Sequence, residues 1–359
     1  DSQSENINIY SIPRPLFSRW ISHPEQSIAG KLKYRLALTL TKLFHSGTPY
    51  DISAGWKKRL IKKITQLHSA NNYKTIIATG APWQMLDDLA NLISENKALE
   101  LIVDFRDPWI ESKNYGIQGL SRARLESEIS KQLNVLKVAK VVFTPYNHIS
   151  ENLRNFSFSR GVSKEKFTTL EHFFDQDDLV TELNKSHHLN LFKIVYAGEV
   201  YDGTASMLEN IVKDIQKINS ELAKMSKQIE LEIYTDTKLD HRFSAYSSVV
   251  VKPSIGKRIF EVIAGSDACL ILLPPHKKEE KTTKFFEYLA MKKPLLVASE
   301  KGGALDYVES NQLGFAWKNG EHFKWLDFYL SGKSLRDETF DIAAHELQAR
   351  ARQVIKFLA

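Results

Sequence analysis

A chain of 359 residues that is 43% hydrophobic and 11% aromatic can bury two packed domains, which excludes a disordered chain. No apolar run approaches the roughly 18–20 residues that cross a bilayer, and the polar opening Asp1–Asn6 does not read as a secretory leader. The net charge of +6 is uneven, because residues 1–70 hold eleven Lys or Arg against four acids, a basic pole suited to an anionic surface or ligand.

Apolar, β-branched runs alternate with amphipathic segments, the pattern of parallel sheets with crossover helices. The first half predicts strands at Ile7–Ile12, Thr75–Thr79, Leu99–Phe105, Lys140–Thr144 and Phe167–Leu170. Helices are predicted between them at Lys31–Phe44, Gly55–Ala70, Trp83–Asn96, Arg122–Val138 and His148–Asn155. A second series of strands begins at Phe192–Gly198 and continues with Glu230–Tyr234, Val249–Lys252, Ala268–Leu273, Leu295–Ala298 and Gly314–Trp317. Its helices are Met207–Lys224, Lys257–Ala264, Thr283–Met291 and Gly303–Ser310. The expected organisation is a first domain over 1–175, a linker over 176–190, a second domain over 191–339, and a final helix over 340–359 that packs back on the first domain. The first domain lacks a strand, glycine-rich loop and helix before Ile7, so its opening β-α units are expected to precede Asp1.

The stretch richest in chemistry is Glu279 to Pro294, directly after the apolar strand Ala268–Leu273. Loops at the carboxyl ends of parallel strands line ligand crevices. Thr282 or Thr283 can cap the following helix, whose first amides attract phosphate, and Lys284 adds a full positive charge there. One turn on, Glu287 can accept hydrogen bonds from the vicinal hydroxyls of a ribose.

Glu279 and Glu287, with seven residues between them, resemble the E-x7-E pattern of family-4 retaining glycosyltransferases of the GT-B fold. Thr283-Lys284 through Pro294 resembles a subgroup string, T-K-x-x-E-Y-L-A-x-x-K-P. The resemblance implies an α/β fold of two Rossmann-like domains facing each other across a cleft. It further implies Glu287 as ribose ligand, Thr282, Thr283 and Lys284 as diphosphate ligands, and Glu279 as a contact to the donor sugar. Ile194 to Tyr201 resembles the strand and loop that open the second domain, with Gly198 and Glu199 at the donor. The cation usual a few residues later is missing from Asp202–Ser206, and Lys257 or Arg258 is expected to substitute. Ser266-Asp267-Ala268 and Gly302-Gly303-Ala304 resemble further family steps, the first read as structural and the second as a loop beneath the donor sugar.

In the first domain, Asp104-Phe105-Arg106-Asp107-Pro108-Trp109 matches the subgroup's D-F-R-D-P-W string. Arg106 stands near the family's usual His, so Arg106 and Asp107 are expected at the reacting hydroxyls, a buried structural ion pair being the competing reading. Gly80, Trp83, Asp104, Trp109 and His172 are the remaining acceptor-side candidates. Asp175-Gln176-Asp177 is formally D-x-D, but its linker position argues against a metal role. The histidines show no zinc spacing. The single cysteine, Cys269, lies in an apolar run and reads as a small buried hydrophobe of a cytoplasmic protein.

The function implied is metal-independent, cofactor-free transfer of a sugar from a nucleoside-diphosphate donor to a glycan or lipid-linked acceptor, with retention, in surface polysaccharide or glycolipid assembly. Nucleic acid is not an expected partner. Basic residues 31–63, and above all the amphipathic helix Gly55–Ala70, suggest an anionic membrane surface, with the protein peripheral on the cytoplasmic face. An epimerase of the same fold, a two-lobed sugar-binding protein without catalysis and an inactive scaffold are the competing readings.

Overall fold

The computed structural model describes residues 7–22, 27–112, 115–180, 190–318, 324–331 and 341–358. The chain divides into two compact units, Asp1–Leu170 with Leu358, and Glu171–Phe357 with Ala359.

The first unit opens with α1 (Leu16–Ser22), α2 (Ile28–Phe44) and α3 (Lys57–Asn71). It continues with β1 (Thr75–Gly80), α4 (Trp83–Glu95), β2 (Glu100–Phe105), α5 (Arg122–Val138), β3 (Val141–Thr144), α6 (Asn147–Phe158) and β4 (Phe167–Thr169). The four strands are parallel in the order β1-β2-β3-β4. Leu101, Val103 and Phe105 of β2 point to one core with Trp83, Leu86, Leu89 and Ile93 of α4 and Val135 and Leu136 of α5. The α4 positions recur at three- and four-residue steps, which brings one helix face onto the sheet.

Ile7–Ile12 is not a strand. Its alternation of Ile7, Ile9 and Ile12 imitates one, yet Ile7 and Ile9 are 74% and 90% exposed and the run pairs with no strand among the described residues. Pro13 and Pro15 follow it, and each removes a backbone donor.

The second unit contains β5 (Leu191–Ala197), α7 (Asp202–Leu222), β6 (Gln228–Tyr234), α8 (Asp240–Phe243), β7 (Val249–Lys252), α9 (Ile259–Ala264) and β8 (Ala268–Leu272). Then come α10 (Thr283–Ala290), β9 (Leu295–Ala298), α11 (Gly303–Ser310), β10 (Gly314–Ala316), α12 (Lys324–Leu330) and α13 (Leu347–Ile355). Its six strands are parallel in the order β10-β9-β8-β5-β6-β7. Strand alternation sends Ile194 and Tyr196 to the layer that holds Leu208, Ile211 and Ile215 of α7. Val195 between them goes to the layer of Phe285, Phe286 and Leu289 of α10. The sheet is therefore wound on both faces, with its order reversing between β5 and β8. Burying each of Phe285 and Phe286 contributes on the order of 1.5–3 kcal/mol.

Of the expected linker, residues 181–189 lie outside the described residues, and Gln176–Asp178 forms a single 3-10 turn. Asp175 caps that turn by accepting from the Asp177 amide at 3.0 Å, which gives the D-x-D sequence a structural task. The final helix is shorter than expected, a 3-10 turn at Ile342–His345 followed by α13. It is bonded to the second unit, where the Phe174 amide donates to His345 O at 3.1 Å and the Leu347 amide to Phe174 O at 2.9 Å. Cys269 is fully buried, and burial pushes its thiol up to about 12.

Candidate functional site

The reversal in strand order leaves a crevice at the carboxyl ends of β5 and β8, since the two crossovers depart to opposite faces of the sheet. On the β5 side lie Gly198 and Glu199. The Gly198 amide donates to Tyr234 O at 2.8 Å, and the Tyr196 hydroxyl donates to Glu199 O at 2.8 Å. Thr237 Oγ1 donates to Glu199 Oε2 at 2.7 Å and accepts from the Val200 amide at 3.1 Å, so the loop is held from both sides.

The β8 side is the approach to α10. Thr282 is the N-cap residue, but its side chain does not bond the amides that follow, and the first turn holds no acid. These amides are thus open to an outside acceptor. Lys284 reaches back across the crevice to Gly198, where a β-carbon would lie 1.7 Å from its Nζ. With φ of +149°, Gly198 also holds a backbone conformation that L side chains rarely adopt.

Lys284 and Glu287 are both substantially buried, and among the described residues neither has an ion-pair partner within 4 Å. Burial holds the Lys284 ammonium below its ordinary range, although Glu287 and Glu199 pull it back. Burial pushes the Glu287 carboxyl up, with Lys284 opposing the shift and Asp178 adding to it. Two opposite charges are therefore kept partly desolvated with hydrogen-bonding capacity unspent, which costs stability unless a ligand completes them.

Glu279 faces the next crossover, its Oε2 accepting from the Gly303 amide at 2.7 Å while the Ala304 amide donates to Lys278 O at 3.1 Å. It thereby caps the start of α11. A β-carbon on Gly303 would stand 2.6 Å from that oxygen, so the glycine admits the carboxylate. Lys257 and Arg258, offered by sequence as substitutes for the missing loop cation, are both exposed. Lys257 is ion-paired with Asp178, which raises its pKa. Asp267 is structural, accepting from the Lys193 amide at 2.8 Å.

His172 lies in the second unit, its Nδ1 3.3 Å from Thr283 Oγ1 at the start of α10. Beside it is a cluster that the sequence reading missed. Lys281 Nζ is 2.5 Å from Glu171 Oε1 and 4.2 Å from the centre of the Tyr307 ring. Glu171 Oε2 meets Arg350 at 3.2 Å, and Arg350 donates to His345 Nδ1 at 2.6 Å. Burial works to raise the Glu171 carboxyl, but Lys281, His345 and Arg350 outweigh it and hold it below its usual range. Burial and then Arg350 push His345 down to about 4, so its ring is neutral near pH 7, stacked 4.3 Å from Phe286. The network fixes Lys281, two residues before α10, and with it the approach to the helix. Glu171 lies more than 100 residues before every other member, a proximity that local patterns do not encode.

In the first unit, Arg106 Nε donates to Asp104 Oδ2 at 2.7 Å, and Asp104 is buried with Oδ1 unpaired. Burial raises the Asp104 carboxyl and Arg106 opposes the shift. Asp107 accepts from the Tyr115 hydroxyl at 3.2 Å. Trp83 and Trp109 are each 1% exposed and stack at 5.2 Å, which makes them core residues. The Trp109 indole donates to buried Glu128 at 2.6 Å, and Gly80 gives Trp83 room, a β-carbon there falling 2.5 Å from its ring. Both Trp rings pack on Phe105, between Asp104 and Arg106, at 5.8 Å for Trp83 and 6.3 Å for Trp109.

No protein-family model and no curated protein sequence matches the chain. Solved structures do resemble it. Sucrose-phosphate synthase from Thermosynechococcus elongatus aligns with a TM-score of 0.56 at 14% identity over 83% of this chain and 76% of that one. The lipopolysaccharide outer core galactosyltransferase WaaB aligns with a TM-score of 0.53 at 10% identity over 84% and 79%. UDP-GlcNAc 2-epimerase from Methanocaldococcus jannaschii aligns with a TM-score of 0.50 at 8% identity over 84% and 81%. The fold is GT-B, two Rossmann-like domains. At these identities the likeness speaks for the fold and leaves the chemistry to the residues.

Proposed function

We propose that the protein is a glycosyltransferase that moves a sugar from a nucleoside-diphosphate donor to an acceptor hydroxyl with retention. One observation carries this reading: Lys284 and Glu287 sit half-buried in the first turns of α10, whose amino end is uncapped, and among the described residues neither has an ion-pair partner. A diphosphate satisfies the ammonium and the free amides together, and ribose hydroxyls satisfy the carboxylate. When the glycosidic bond to the donor phosphate breaks, negative charge grows on the leaving diphosphate. Lys284 and the helix amides meet that charge without reorganising. Glu279 already spends one oxygen on Gly303, and its other oxygen is assigned to the donor sugar. Arg106 and Asp107 are assigned to the acceptor.

The test is a thermal-shift panel of UDP, GDP, ADP, CMP and dTDP conjugates. A nucleotide at 100 times its Kd stabilises by about 2.7 kcal/mol. One base is expected to stabilise the wild type, and Glu287→Ala is expected to blunt that response. If no nucleotide shifts the wild type, or the variant responds equally, the donor assignment is wrong. Adding a hydroxyl acceptor separates this reading from epimerisation, which interconverts the nucleotide sugar without one.

A further inference from the structure

Basic residues 31–63 span α2 and α3, and α3, the helix expected foremost at a membrane, exposes no large apolar side chain. Its cations are partly engaged, with Arg59 donating to Pro13 O at 2.8 Å and Lys63 lying 3.9 Å from the centre of the Tyr10 ring. α2 presents the opposite case. Gly30, Ala37 and Thr41 are its buried face, while Ile28, Leu32, Leu36 and Leu43 are 89%, 69%, 49% and 71% exposed. At about 100° per residue these four fall within an arc of roughly 80°. Lys31, Arg35 and Lys42 flank the stripe along one side, all exposed, and residues 28–44 contain no acid. The helix is capped at its amino end and tied to α5 just beyond its carboxyl end. Ser27 accepts from the Gly30 amide at 3.0 Å, and Arg124 of α5 donates to His45 O at 2.8 Å and Gly47 O at 2.7 Å.

We propose that the outer face of α2 docks on an anionic lipid bilayer, lying in the plane of the interface. The stripe extends about 22 Å along the helix, and its side chains reach the acyl boundary while the flanking cations extend to lipid phosphates. The charge pattern selects this occupant over a second copy of the chain, because self-pairing would set Lys31, Arg35 and Lys42 against the same three cations. It also fits a bilayer better than an acidic protein groove, since four exposed Ile and Leu side chains, with Thr39 the one polar residue inside their arc, leave the centre of the face predominantly apolar. Among the described residues no helix is long and apolar enough to cross a membrane. The proposal is independent of the donor-site reading.

The test is co-sedimentation of the full chain with phosphatidylcholine vesicles, with and without about 30% phosphatidylglycerol, across a salt series. Wild type is expected to partition onto the anionic vesicles and to release as salt rises. Lys31→Glu/Arg35→Glu/Lys42→Glu is expected to weaken partitioning by roughly tenfold or more. Leu32→Glu/Leu43→Glu is expected to abolish it, with unchanged circular dichroism because both side chains are exposed. Lys58→Glu/Lys62→Glu on α3 is the charge-reversal control on the neighbouring basic helix and is expected to retain most of the binding. The proposal is overturned by absence of vesicle binding, by equal binding to neutral vesicles, or by an α3 variant that loses as much as the α2 variants. A solution dimer that Leu32→Glu dissociates overturns it too, by making the face a self-interface.

Discussion

Gly198→Ala tests the closeness of the two crevice walls. The new β-carbon would stand 1.7 Å from Lys284 Nζ and 3.1 Å from its Cε. Ordinary contact is about 3.5 Å, so the ammonium has to retreat by roughly 2 Å. The backbone at φ of +149° adds strain of about 1–3 kcal/mol for a residue with a β-carbon. At about 2–4 °C per kcal/mol for a unit of this size, the melting temperature falls by roughly 2–12 °C. A retreating ammonium also forfeits a charge-assisted bond of about 1.5–3 kcal/mol, which weakens nucleotide binding by roughly 10–150-fold. Titration calorimetry on wild type, Gly198→Ala, Lys284→Met and the double variant separates strain from displacement. The melting penalty is expected in both backgrounds, whereas the binding penalty is expected only where Lys284 is present. An equal binding loss in the Lys284→Met background would refute the steric coupling. Wild-type affinity in Gly198→Ala would refute the role given to the ammonium.

Three further outcomes follow from the structure. Asp51 accepts from the Trp83 and Gln84 amides at 2.9 and 2.7 Å and from Ser53, so it caps α4 from a distance. Asp51→Ala is expected to cost about 2–4 kcal/mol in urea unfolding of the first unit, and a loss under 1 kcal/mol would contradict that capping role. His345 is a base depressed to about 4 from 6.5, so its share of stability is complete above pH 6.5 and is lost as pH falls through about 4. His345→Asn should flatten that acid-side slope in denaturation measured across pH. Asp104 has a raised pKa, so its contribution is present below its unfolded pKa and is lost as pH rises through the folded one. Arg106→Ala removes the opposing charge, and the variant is expected to lose more stability than wild type between acid and neutral pH. A pH-independent difference would count against the pairing.

The central strands of the second unit were legible because parallel strands buried on both faces read as short apolar runs, as in Ala268–Leu272 and Leu295–Ala298. Ile7–Ile12 carries the same residue types, but a strand also needs a neighbour to bond, and no local pattern states whether one exists. The donor-side candidates divide in the same way. Lys284 and Glu287 share one short helix, so their spacing alone places them together. The partner of His172 is 111 residues away at Thr283, and Trp109 is turned inward by Glu128 on a different helix. Motif strings name the loop that carries a residue, but its direction is set by tertiary partners. Exposure on α2 was hidden for a related reason, since periodicity reveals an apolar stripe without saying which side meets protein.

The bonds between Phe174 and the segment before α13 bring the first and last described stretches of the second unit side by side. Glu171 and Arg350 repeat that closure with side chains. The unit is thus stapled shut by its own ends, and its sheet need not borrow a neighbour to keep its margins in register. This makes it a natural cassette: severed before Glu171, it would keep the whole crevice with both ends of its closure. Exchanging such a cassette between relatives of this fold would move the crevice as one piece, with the seam lying where a staple already holds.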